Sequence, residues 1–250
     1  MLTRSLCCFK GISVDAESRL WRDGCLSWRH LKQHAERHFS LKKAEALTAQ
    51  LPFYEKALES CLVDFFVGNL PCGYKLRIFP EFHEHLAFID IETTGLDRRD
   101  NITVIGLWHR GKITTFVRGR NLSDFIQAWK SLSLLLTFNG SRFDIPFIMR
   151  TFGFTVHPPH IDLFCESQIH GLKGGLKTIE RELGFTRTLE ESGNGKEAVQ
   201  LWHRYTTEND DKALEKLIAY NNRDVLSLLA LTRHLYRLSC RNYDAPHPLF

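Results

Sequence analysis

The sequence predicts an α/β protein, a mixed five-stranded sheet flanked by helices with a helical extension in front of it. Three observations predict it. Residues 1–80 are rich in helix formers; residues 86–164 read as three strands, a helix, a strand, a helix and a strand; from about residue 176 helical periodicity takes over.

In the first region, candidate helices occupy residues 15–23, 27–38, 40–48 and 52–67, which together form a helical accessory region over 1–80. Pro71, Gly73 and Pro80 mark the connection into the sheet. The second domain is expected over 81–240, with a C-terminal tail at 241–250. Its first strand, 86–92, is an apolar run ending at a Thr93-Thr94-Gly95 turn. Strands 102–109 and 112–118 flank Gly111, a hairpin signal. A helix from Ser123 to Lys130 leads to strand 133–138, and a helix at 143–152 leads to a fifth short strand, His160–Phe164. The last helix carries an apolar stripe through Leu214, Leu217, Ile218, Val225, Leu228 and Leu229, which suits packing across the sheet.

Composition bounds the function without naming it. A chain of 250 residues with 43% hydrophobic content buries a substantial core, and a formal charge of +4 permits an anionic partner without requiring one. Seven cysteines, odd in number and without C-x-x-C spacing, argue against a disulfide framework or a zinc ribbon and for a reducing compartment. The first ten residues hold too short an apolar run for a secretory signal, and no later stretch approaches a membrane span. The expectation is a soluble, cytoplasmic protein with no membrane partner.

Four acids carry the chemistry. Asp90 and Glu92 alternate on one strand and therefore share a face; Asp144 lies where a strand leads into a helix; Asp224 stands one helical turn after Tyr220. Hard cations such as magnesium and manganese take oxygen ligands, and a pair of dications about 4 Å apart needs several carboxylates to offset their repulsion. Two such ions suit phosphoryl transfer, and Tyr220 is placed to orient an attacking water. Each fragment has a plainer reading: Asp90-x-Glu92 as a solvated strand end, Asn139-Gly140 with Asp144 as a turn and helix cap, Tyr220 as a member of the apolar stripe. Their conjunction, in order and within one domain, favours a site.

Asp90-Ile-Glu92-Thr93-Thr94-Gly95, Asn139-Gly-x-x-Phe143-Asp144-x-Pro146-Phe and Tyr220-Asn-x-x-Asp224 resemble the three motifs of the DEDD exonucleases, in the tyrosine-bearing (DEDDy) branch. The histidine branch has its histidine five positions before the last aspartate, where this chain has Ala219. The middle motif is similar to that of family B DNA polymerase proofreading domains. Overall, residues 86–236 look most like stand-alone ribonuclease H-like proteins of the YprB type.

The resemblance implies a ribonuclease H-like fold and a 3′-to-5′ exonuclease that releases nucleoside 5′-monophosphates using two Mg²⁺ or Mn²⁺ ions. It implies that Asp90, Glu92 and Asp224 hold one ion, that Asp90 bridges to a second, and that Asp144 reaches the second directly or through water. Tyr220 would hold the nucleophilic water, and Thr93, Thr94, Gly95, Leu96, Asn139 and Phe143 would border the substrate. Single-stranded DNA is the expected partner ahead of RNA, in repair, recombination or turnover. A ribonuclease D-type exoribonuclease, a structure-selective endonuclease and a catalytically silent nucleic-acid-binding module on the same fold remain alternatives.

Three features stay outside the motifs. Asp162 reads as a supporting or structural acid. Lys173, Lys177 and Arg181 have the spacing of a phosphate-tracking stripe, but Glu180 and Glu182 interleave with them, so a solvated face is the favoured reading. Phe9-Lys-Gly11-Ile-Ser13 through Trp28 is similar to the start of YprB-type proteins and faintly to a helix-hairpin-helix element. Ser13 stands where that hairpin favours glycine, and packing of Trp21 and Trp28 onto the catalytic domain is the expected role.

Overall fold

The computed structural model describes residues 1–97, 99–188 and 194–240, so the tail expected at 241–250 lies outside the described residues. The chain divides into two compact units, Met1–His83 with the segment from Leu235 onward, and Glu84–His234.

Small polar residues start the first helices of the first unit. Ser13 accepts a hydrogen bond from the Ala16 amide and begins α1 (Val14–Arg22), and Ser27 does the same for the His30 amide at α2 (Trp28–His38). They are followed by α3 (Leu41–Thr48), α4 (Leu51–Glu59), α5 (Val63–Asn69) and the single turn α6 (Phe79–Phe82). The continuous helix expected at 52–67 is therefore two. Cys61 takes a left-handed φ of 51°, and the Leu62 amide bonds back to the Ala57 carbonyl, which closes α4 before α5 can begin.

An aromatic cluster of Phe9, Trp28, Tyr54 and Phe66 lies within this unit. Buried Glu17 accepts from the Leu6 and Cys7 amides and from the Arg77 guanidinium at 2.6 Å, while Arg77 Nε donates to the Ser239 carbonyl. Arg77 also lies over the rings of Tyr74 and Trp21. A buried ion pair satisfied on every side gives Trp21 a structural role here.

In the second unit, the strands are β1 (Leu86–Thr93), β2 (Ile102–His109), β3 (Lys112–Val117), then, after α7 (Phe125–Lys130), β4 (Leu134–Thr137) and, after α8 (Asp144–Phe152), β5 (His160–Asp162). The sheet order is β3-β2-β1-β4-β5, antiparallel at β1–β2 and β2–β3 and parallel at β1–β4 and β4–β5. The mixed five-stranded sheet is the one the sequence predicts. The fifth strand is shorter than expected, because the Asp162 carboxylate accepts the Phe164 amide and caps α9 (Leu163–Ile169). Three further helices follow: α10 (Leu176–Glu182), α11 (Gly195–Glu208) and the 29-residue α12 (Asp211–Ser239).

Strand periodicity sorts the two faces. Ala87, Ile89 and Ile91 of β1, with Ile105 and Leu107 of β2, pack against Phe125, Trp129, Ile145 and Ile148 from α7 and α8. On the opposite face, Val104 and Val117 meet Ala198, Leu201 and Trp202 of α11 and Leu214, Leu217 and Tyr220 of α12. Asp90 and Glu92 belong to that second face, paired in register with Gly106 and Val104. Gly106 lets α12 come close: a Cβ there would stand 2.3 Å from Asn221 Oδ1 and 2.8 Å from a Val225 methyl.

A candidate metal centre in an acidic cleft

Asp90, Glu92 and Asp224 each offer a carboxylate oxygen, and these atoms lie within 4.8 Å of one another. The strand period aims the first two at the same point, and α12 crosses the sheet so that Asp224 reaches it. A bulge between Glu92 and Thr93 shifts the β1–β2 register beside the acids. Asn221, one residue after Tyr220, anchors the crossing by donating Nδ2 to Asp90 Oδ2 at 2.8 Å and to the Asp90 carbonyl at 3.1 Å.

Asp144, the first residue of α8, is buried in the same cleft, where its Oδ1 accepts the Ile91 amide at 3.1 Å. It stands apart from the three-acid set. Phe143 precedes it and packs on Phe147, while Asn139 takes a left-handed φ of 59°, a conformation asparagine tolerates. Asp162 holds that turn: Oδ1 accepts the Asn139 amide at 2.7 Å and Oδ2 the Ser141 amide at 3.1 Å. Its role is thus to brace the loop that presents Asn139, and the hydrogen bonds leave it outside the metal-ligating set.

The cleft has a volume of about 1010 Å³ and is lined by the four acids, Tyr220, Thr93, Gly95, Leu96, Asn139 and Phe143. Leu96 is 85% exposed at its edge. Thr94 lies beside it but turns its hydroxyl to Asp100 at 2.8 Å. Every sequence-predicted site residue other than Thr94 lines this one cleft.

Tyr220 combines both of its sequence readings. Its ring is buried in the α11–α12 core, while its hydroxyl accepts from Lys177 Nζ at 2.7 Å. Burial, and then the charges of Asp224, Glu92 and Asp90, raise the phenol well above its ordinary range, so it stays neutral. Lys177 also lies 4.2 Å above the ring, which removes it from the solvated face expected of it; Lys173 and Arg181 are exposed. Burial lowers the Lys177 ammonium, against the pull of Asp224 and Glu92.

Arg187 is a residue no sequence signal marks. It bridges Glu180 and Asp224, at 2.6 and 2.5 Å, with its side chain 11% exposed. Glu180, which the sequence places among surface charges, is buried because of this bridge.

The donor set fits a hard divalent cation. It consists of carboxylates alone, and their mutual repulsion is an energy that a cation relieves. Burial first, then neighbouring acids, raises Asp90 and Glu92 well above the carboxylate range. Burial also raises Asp224, opposed by Arg187, and lifts Asp144 from 3.8 to about 7.

A pH dependence follows, with its sign set by which state holds more protons. Between about pH 4 and 7 the folded, metal-free protein retains protons that the unfolded chain has released, so the stability these carboxyls contribute at low pH is lost as pH rises through that window. Asp144→Asn keeps an acceptor for the Ile91 amide and removes one charge. In EDTA at pH 8 it should be more stable than the native chain by roughly 2 kcal/mol, a gain that disappears at pH 4. Thermal melting of both proteins across this range checks it, and parallel pH profiles would refute it.

A family model described as the RNase H superfamily matches residues 87–236. No curated protein matches the chain. Among solved structures, the chain is similar to the family B DNA polymerase from the hyperthermophilic archaeon Pyrobaculum calidifontis, with a TM-score of 0.48 and 16% identity over 62% of this chain. The match covers 26% of the polymerase chain, about a quarter of its length. Among the described residues, no helix is long and apolar enough to cross a membrane. The family match takes in residues from all five strands and all four acids, and on it the chain belongs to the RNase H superfamily.

Proposed function

We infer that this chain is a metal-dependent 3′-to-5′ exonuclease that hydrolyses single-stranded nucleic acid, DNA ahead of RNA, to nucleoside 5′-monophosphates. The observation that carries the reading is the convergence of Asp90, Glu92 and Asp224 within 4.8 Å in a cleft that Tyr220 also lines.

Asp90, Glu92 and Asp224 would hold one divalent ion, and Asp144, whose second oxygen is not used by the Ile91 amide, would serve another. When bound, magnesium or manganese supplies Lewis-acid activation of water and charge neutralisation at the leaving oxygen. The protein supplies position. Tyr220, a neutral phenol held by Lys177, orients the attacking water. Phe143 and the exposed Leu96 offer apolar surface to the terminal bases, and stacking of this kind tolerates any base. The likeness of the middle motif to DNA proofreading domains favours deoxyribose.

A product ladder tests the reading. With 5′-labelled (dT)12 and (rU)12 and manganese, the native chain should shorten the DNA strand one nucleotide at a time from its 3′ end, faster than the RNA, and EDTA should stop it. Internal fragments would move the reading to an endonuclease, and faster loss of RNA to an exoribonuclease.

A further inference from the structure

The cleft has one basic side chain among its described lining residues, Lys196, facing four carboxylates. Lys196 is exposed and makes no ion pair among the described residues. With Asn194 and Gln200 it also lines an adjoining pocket of about 380 Å³, whose other described lining residues are Glu197, Leu201, Arg204 and Lys216. The two spaces adjoin along α11, sharing Asn194, Lys196 and Gln200, with carboxylates gathered in the first and Lys196, Arg204 and Lys216 along the second. Lys196, Gln200 and Arg204 recur every four residues and share one stripe of α11. That stripe is about 12 Å long at 1.5 Å per residue.

The two ion pairs in the groove position its cations without removing them from solvent. Lys216 meets Glu197 at 2.7 Å and remains 37% exposed; Arg204 pairs with Asp210 and remains 53% exposed. Exposed pairs of this kind contribute little, so a phosphate can join or displace the carboxylate at little cost.

We propose that this groove is the phosphate track of the substrate: Lys196, Gln200, Arg204 and Lys216 bind the phosphodiester backbone of the nucleotides on the 5′ side of the 3′ terminus held in the acidic cleft. The assignment rests on the exonuclease reading for the strand's polarity. At one phosphate per 3.4 Å of stacked strand, the stripe has room for roughly three nucleotides. It predicts a preference for strands several nucleotides long, read through charge and without base selection.

The test is binding of 5′-fluorescein-labelled (dT)12 in EDTA, followed by anisotropy across a salt series. Lys196→Ala and Arg204→Gln should each weaken binding about three- to tenfold. Each should also reduce the slope of log affinity against log salt by about 0.7, the value for one lost phosphate contact on a single strand. Lys130→Ala, an exposed lysine outside the groove, serves as the control and should change neither. Slopes equal to the native one in both groove variants would overturn the proposal. Shortening of the same strand by the native chain in manganese, measured alongside, separates the two readings. Shortening with an unmoved slope overturns the track and leaves the exonuclease; a reduced slope without shortening overturns the exonuclease and leaves a binding groove.

Discussion

Asp90→Asn should lower metal-dependent hydrolysis by about 10³-fold or more while raising the melting temperature of the metal-free protein. Both effects come from one charge. Asp90 offers an oxygen within 4.8 Å of oxygens on Glu92 and Asp224, and losing its charge removes one of the three proposed ligands. A lost contribution to transition-state charge stabilisation costs on the order of 10²–10³-fold even where it is one hydrogen bond, and a lost metal ligand costs more. The fold should not suffer. Asn221 Nδ2 donates to Asp90 Oδ2 and to the Asp90 carbonyl, and an asparagine at position 90 keeps an oxygen for the first bond and the carbonyl for the second. Burial and three neighbouring acids raise Asp90, so neutralising it relieves repulsion. Turnover and thermal melting in EDTA, measured on the same preparation, decide the matter. A variant that still hydrolyses DNA, or one that loses activity because it melts early, would count against the assigned role.

Gly106→Val should destabilise the protein by about 3 kcal/mol and abolish hydrolysis, although Gly106 contributes no side chain to the chemistry. Position 106 pairs with Asp90 across the β1–β2 ladder and faces α12. A Cβ there would meet Asn221 Oδ1 at 2.3 Å and Val225 Cγ2 at 2.8 Å, separations that real Cβ atoms do not adopt, and valine adds two further methyls. The overlap can be relieved only by moving the Asn221 side chain or lifting α12 away from the sheet. Either movement disturbs the Asn221 bond to Asp90, and lifting the helix carries Asp224 with it. Urea unfolding gives the stability loss, and a manganese titration should show weakened binding in the fraction that remains folded. Native-like manganese affinity in a folded variant would show that the crossing is not what brings Asp224 to the other acids.

Much of this was legible along the chain. Alternation in residues 86–92 placed Asp90 and Glu92 on one face, and the four-residue spacing from Tyr220 to Asp224 placed both on one side of a helix, because strand and helix periods are local properties of the backbone. Asn221 was within reach of the same reasoning, since it sits three residues before Asp224 on the same helix face. Where local signals compete, the chain's own pattern is ambiguous. Leu163 and Phe164 suit a strand, yet the Asp162 side chain starts a helix there, and helix-forming residues run through 52–67 without showing that Cys61 closes a turn.

The order of elements and the faces that carry the acids were thus determined by the sequence alone, because each depends on neighbours within a few residues. Only the tertiary structure decided the rest of the site. Arg187 reaches Asp224 across 37 positions, Lys177 reaches the Tyr220 hydroxyl across 43, and Lys196 joins the cleft to the groove along α11. A charged side chain on an isolated helix or loop has no preferred partner in water. Arg187 and Lys177 became partners when packing put them in a partly dry space beside several carboxylates, where opposite charges attract strongly and an unpaired one is costly.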